Sequence, residues 1–113
     1  MKRTFIETKY FTLKWKELGF TEEDLRRLQE ELLENPKVGD VMRGTGGLRK
    51  MRFAYNNRGK SGSARVCYLD IEIREEIHLL DVFAKSEKEN LSKAERNNIK
   101  KLVEFIKEFG WGI

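Results

Sequence analysis

The sequence holds one cysteine, Cys67, and one histidine, His78, in 113 residues. A single thiol excludes an internal disulfide framework. One thiol and one imidazole cannot supply the Cys/His ligand set of a structural zinc site either. No metal and no other cofactor is expected. The scarcity of cysteine, with no apolar leader at the start, points to the cytoplasm as the expected location. No apolar run approaches the length of about 20 residues that crosses a bilayer as a helix, so no membrane partner is expected. Acidic residues are missing from one long stretch: Val41 to Leu69 contains no Asp or Glu.

Positive charge fills that stretch. Arg43, Arg49, Lys50, Arg52, Arg58, Lys60 and Arg65 all lie in it, against a net charge of +4 for the whole chain. Removing these 7 from the 23 basic residues leaves 16 to face 19 acidic ones elsewhere, a balance of −3. The chain is therefore a mildly acidic scaffold carrying one concentrated cationic segment, the footprint of a polyanion site. Its length suits a single domain over residues 1–113 with one modest core, and leaves no room for separate cofactor and substrate domains.

The hydrophobic pattern predicts an α+β domain. Lys2 to Thr8 alternates as a first strand, and Tyr10 to Leu18 reads as a short helix or an apolar linker stopped by Gly19. Thr21 caps a helix whose acidic first turn, Glu22, Glu23 and Asp24, suits the helix dipole and can close a capping box. Leu25, Leu28, Leu32 and Leu33 form its apolar stripe, and Asn35-Pro36 ends it. Leu48 to Tyr55 alternates Lys50 and Arg52 against Met51, Phe53 and Tyr55. Asn56 to Ser63 is a Gly/Ser/Asn loop. Ala64 to Ile73 and Ile77 to Ala84 read as central strands. Ser92, with Glu95 three residues on, opens a last helix that Gly110 terminates. The expected whole is a mainly antiparallel, twisted sheet with N-terminal helices packed on it and a C-terminal helix.

Several separated motifs are more particular than this pattern. Asn35-Pro36-Lys37-Val38-Gly39-Asp40-Val41 is followed by Gly44-Thr45-Gly46-Gly47-Leu48-Arg49-Lys50-Met51-Arg52. Arg58-Gly59-Lys60-Ser61-Gly62-Ser63-Ala64-Arg65-Val66 and Val82-Phe83-Ala84-Lys85-Ser86-Glu87-Lys88 come next. In order and spacing this series resembles the HigB branch of the RelE superfamily of type II toxins, over roughly residues 3 to 105. The resemblance implies a RelE-type fold and cleavage of messenger RNA in the ribosomal A site. It also implies silencing by a helix-turn-helix antitoxin of the HigA kind, with DNA bound only through the antitoxin complex. It sets catalytic basic residues at Lys50, Arg52, Arg65 and Lys85. The sequence departs from RelE proper at Leu91, where RelE carries a tyrosine. With no phenol there, Glu87 becomes the expected general base, its pKa lowered by Lys85 and Lys88.

The residues themselves fit that chemistry. RNA cleavage by the 2′-hydroxyl needs a base, stabilisation of a pentacoordinate phosphate, and an acid for the leaving oxygen. Lys50 and Arg52 stand two apart on a strand and so share a face, and Arg65 begins the next strand. The planar guanidinium fork of arginine matches two phosphate oxygens at once. Arg43, Arg49, Arg58, Lys60 and Lys88 are expected to grip RNA backbone.

Blander alternatives stand beside each assignment. Lys50, Arg52 and Arg65 also read as a solvated strand face, and Lys85 to Lys88 as an ordinary charged turn. His78, between Ile77 and Leu79, reads as a core histidine, and Cys67 as a small buried residue. Trp111 reads equally as a docking anchor or a loose tail. Gly59-Lys60-Ser61 is not a phosphate-binding loop, because Ala54 stands where its first glycine is needed and a strand follows. Gly44 to Gly47 precedes a strand and serves a tight turn or a close approach to RNA. A non-catalytic RNA-binding sheet is the competing function, with Phe53, Tyr55 and Tyr68 offered as stacking platforms.

Overall fold

The computed structural model describes residues 2–55 and 63–110. Five strands, β1 Thr4–Glu7, β2 Asp40–Val41, β3 Arg49–Ala54, β4 Ser63–Ile71 and β5 Glu76–Ala84, form one sheet. Their order across it is β1-β5-β4-β3-β2. The pairs are antiparallel except β1 with β5, which run parallel from Thr4↔Glu76 to Glu7↔Leu79. Three helices, α1 Lys9–Glu17, α2 Glu22–Glu34 and α3 Lys93–Phe109, complete the α+β fold expected from the sequence.

The sheet is the middle layer. Phe11 and Trp15 of α1, with Leu28 and Leu32 of α2, pack on Met51, Phe53, Val66, Ile77 and Leu79. On the opposite face Val103 and Ile106 of α3 pack on Leu48, Cys67, Leu69 and Leu80. Coverage on both sides explains why β4 and β5 are almost continuously buried, whereas β3 alternates.

Local chemistry sets the helix ends. Thr21 with Asp24 and Ser92 with Glu95 each close a reciprocal capping box. Such a cap typically contributes about 1 kcal/mol. Thr8 caps α1, its Oγ1 accepting from Phe11 N at 3.0 Å. The strand expected to reach Ile73 stops at Ile71. Glu72–Arg74 forms a 3-10 turn, closed by Glu75 N donating to Glu72 O at 3.0 Å, with Glu75 at φ 55°. The turn carries Arg74 to the far end of α3, where its guanidinium donates to Ile106 O at 2.7 Å and also to Lys107 O.

The first two motif blocks are structural. Tyr68 Oη donates to Pro36 O at 2.8 Å and accepts from Gly39 N at 2.9 Å. A Cβ on Gly39 would stand 2.9 Å from both Lys50 O and the Tyr68 ring, so the backbone must pass there without a side chain. In the second block Gly46 and Gly47 take φ values of 77° and 112°, which a glycine adopts without strain. Buried Thr45 closes the turn, its Oγ1 donating to Met42 O at 2.7 Å and accepting from Leu48 N at 3.1 Å. Gly46 lies against Val103, so the close approach is to α3.

Candidate functional site

Strand register places the predicted cations. Two rows cross the sheet, Lys50↔Cys67↔Asp81 and Arg52↔Arg65↔Phe83. Lys50, Arg52 and Arg65 are in phase with Leu48 and Cys67, which pack toward α3, so all three lie on the α3 face. Arg52 is exposed and makes no hydrogen bond or ion pair among the described residues. Arg65, beside it, is only 6% exposed, which corrects its reading as a surface residue. Its Nη1 donates to Ser63 Oγ at 3.0 Å.

The segment that leads from β5 into α3 runs past these cations. It starts with Lys85 N donating to Ser63 O at 3.1 Å, and Lys85 is exposed. Lys50 Nζ donates to Asn90 Oδ1 at 2.5 Å and to Glu89 O at 3.4 Å. Glu89 Oε2 stands 3.9 Å from Arg65 Nη2. One carboxylate thus faces Arg65 while an amide and a carbonyl hold Lys50.

Glu87 points elsewhere. Its partner is Lys14 of α1 at 3.5 Å. The expected neighbours do not serve it, because Lys88 pairs with Glu95 at 2.6 Å and lies over the Phe83 ring at 4.9 Å. Burial works to lower the Lys88 pKa, but its bond to Glu95 and the charges of Glu95 and Asp81 outweigh it, and the net direction is up. The bond from Lys88, reinforced by Ser92 N, draws the Glu95 carboxyl down.

The remaining expected grips are dispersed. Arg49 lies on the opposite face, donating to Gly39 O at 2.6 Å, and so braces the Gly39 segment. Arg43 is exposed in the turn before Gly44 and makes no hydrogen bond or ion pair among the described residues. Arg58, Lys60 and Trp111 lie outside the described residues. The structure therefore brings together Lys50, Arg52 and Arg65, with Lys85 beside the same strand end, and separates Arg43, Arg49 and Glu87 from them.

The proposed stacking platforms are occupied. Phe53 and Tyr68 are in the core, and Tyr55 lies face to face with Phe20 at 4.5 Å. Leu91 is buried against α3. His78 is buried with Nε2 2.9 Å from Glu76 Oε1. Cys67 is fully buried, and burial, aided by Asp81, pushes its thiol up to about 12. Both are the core residues their neighbours predicted. Glu89 and Asn90 were missed by sequence reading. The available signal was their place in a polar run between a cationic strand end and the Ser92 cap. Among the described residues no group of 3 His, Cys, Asp or Glu side chains converges as a metal site. No helix there is long and apolar enough to cross a membrane.

A five-stranded sheet with a cationic end and a closing helix defines a recognisable class. The family model for the RelE toxin of the RelE/RelB toxin-antitoxin system matches residues 2–109, and the chain belongs to that family. Its fold is similar to that of a double-arginine variant of E. coli toxin RelE in the free state, with TM-score 0.57 and 21% identity over 79% of this chain and 90% of that one. Isolated E. coli RelE aligns with TM-score 0.54 and 19% identity over 90% of this chain and 99% of that one. A chain of the intact E. coli RelBE toxin-antitoxin complex gives TM-score 0.53 and 20% identity over 74% and 96%. At these identities the likeness is one of fold.

Proposed function

We propose that this toxin-family chain is a ribosome-dependent endoribonuclease of the HigB branch, acting in the cytoplasm on messenger RNA in the A site. The observation that carries the reading is the cross-strand pair Arg52↔Arg65 beside Lys50, on a surface with no acidic residue from its own strands β3 or β4 until Asp70. In this reading a 2′-hydroxyl gives up its proton and attacks the adjacent phosphorus. The bond to the 5′-oxygen breaks, and that oxygen takes up a proton. Arg52 and Arg65 stabilise the charge that grows on the phosphate oxygens, and Lys50 holds the scissile phosphate. Lys85, exposed at the same strand end, supplies the leaving oxygen's proton. Glu89, set against Arg65, takes the proton-acceptor role that sequence reading gave to Glu87. Lys88 and Arg43 extend the cationic field. The burial of Phe53 and Tyr68 weighs against the alternative of a stacking RNA-binding sheet.

A helix-turn-helix antitoxin of the HigA kind is the proposed silencing partner, with DNA contacted only through that complex. What supports an antitoxin partner is membership of the RelE/RelB toxin family and the solved complex of a double-arginine variant of E. coli RelE with an antitoxin RelBc peptide.

The test is cleavage of ribosome-bound message by purified variants. Arg52→Ala should lose roughly 10² to 10³ in rate, about 2.7 to 4 kcal/mol, at an almost unchanged melting temperature. Glu89→Gln should lose roughly 10² or more and Glu87→Gln little. Full activity in Arg52→Ala would remove the phosphate clamp, and the reverse order of the two glutamates would return the base to Glu87.

A further inference from the structure

On the same side of the sheet, away from Arg52, a groove of about 420 Å³ opens between the start of α1 and α3. Its walls are mostly apolar, with Tyr10 on one bank and Ile99 and Leu102 on the other, and Leu80 and Asp81 of β5 between them. Both banks continue as exposed apolar side chains. Tyr10 and Leu13 are one helical turn apart on α1, and Leu102 and Phe105 are likewise on α3.

Asp81 is what makes this groove unusual. The residue is 7% exposed, and its hydrogen bond is from its own neighbour, Val82 N, at 2.7 Å. It has no ion pair among the described residues, because Lys88 gives its bond to Glu95. Burial raises the Asp81 carboxyl above its ordinary range, outweighing the bond from Val82 N and the charges of Lys88 and Lys14, so the carboxylate is poorly compensated where it sits. Isolated charges set among apolar walls are costly, and a cation brought from outside relieves that cost. Glu95 adds a second carboxylate to the lining. Glu95 is already paired with Lys88, but the Asp81 carboxylate repels a polyanion, so the groove does not extend the RNA surface.

We propose that this groove binds a segment of a partner protein in which one lysine or arginine, flanked by apolar side chains, reaches Asp81. The apolar banks receive the flanking residues, and Asp81 takes the cation. The volume suits a few side chains of such a segment. The inference stands apart from the cleavage reading, since it uses none of the residues assigned to the phosphate.

A random dodecapeptide display library selected on the immobilised full chain tests it. Enriched peptides should carry a Lys or Arg between apolar residues. A synthetic member, followed by fluorescence polarisation, should bind at least about tenfold more weakly to Asp81→Asn and to Leu102→Glu, and unchanged to Arg52→Ala. Leu102 is exposed, so that variant reads the groove even if Asp81→Asn folds poorly. Absence of enrichment, or affinity unmoved by Leu102→Glu, overturns the proposal. Competition by single-stranded RNA also overturns it, by placing the peptide on the cationic end. So does a wild-type dimer in sedimentation that Leu102→Glu abolishes, which would make a second copy the occupant.

Discussion

The two faces of one sheet use positive charge in opposite ways. On the α1/α2 face the Arg27 guanidinium lies over the Phe53 ring at 4.1 Å and donates to Ala54 O at 2.9 Å. Arg49 is likewise taken up by Gly39 O. On the α3 face Arg52, two strand positions from Lys50, is exposed and has no such partner among the described residues. Arg49 and Arg52 are the same residue type on the same strand. What differs is coverage, since two helices blanket one face while α3 stops short of the other. Arg49, on the covered face, becomes part of the packing, and Arg52, on the less covered one, stays exposed.

The comparison breaks most visibly in the covered core. Leu28→Ala should lower stability by about 2–5 kcal/mol, read by denaturant unfolding, because the site is fully buried against rigid strands. A loss no larger than that of Arg52→Ala would erase the distinction between the faces. Gly39→Ala comes next. Its new methyl meets backbone rather than a flexible side chain, so a cost of about 1–3 kcal/mol is expected. Tyr68→Phe, which removes both hydrogen bonds to that segment, should account for part of it.

A smaller effect concerns pH. Burial raises the Asp81 carboxyl above its ordinary 3.8, so the folded chain holds that proton more tightly than the unfolded one. The associated stability is present below 3.8 and lost as pH rises through the raised value. Asp81→Asn should therefore melt above wild type near neutral pH, with the gain fading in acid. A gain equal at both ends of a pH series of melts would assign it to something other than ionisation.

Legibility followed sequence distance. The capping boxes at Thr21 and Ser92 were readable because three-residue spacing is set by the helix itself. Lys50 and Arg52 were placed on one face by strand parity alone. Parity equally puts Arg49 on the other face, but the charge count of Val41 to Leu69 pooled all three. The Gly39–Tyr68 contact that claims Arg49 joins distant positions, and nothing local announces it. The choice between Glu87 and Glu89 depended on a turn after β5, where direction changes with each residue. The parallel partner of β1 was hidden for the same reason as Arg49.

That parallel pair has a consequence for how the molecule is made. Thr4 pairs beside Glu76, 72 positions later in the chain. At a synthesis rate of about 5–20 residues per second, β1 waits roughly 4–14 s for β5, its neighbour in the sheet, to be polymerised. Until then Phe5 lacks β5, and β4 lacks one of its two flanking strands. Arg65, whose cross-strand neighbour Phe83 comes from β5, lacks it as well. The cationic surface is thus among the last parts of the protein to exist, and an emerging chain carries Lys50, Arg52 and Arg65 unassembled for most of its own translation.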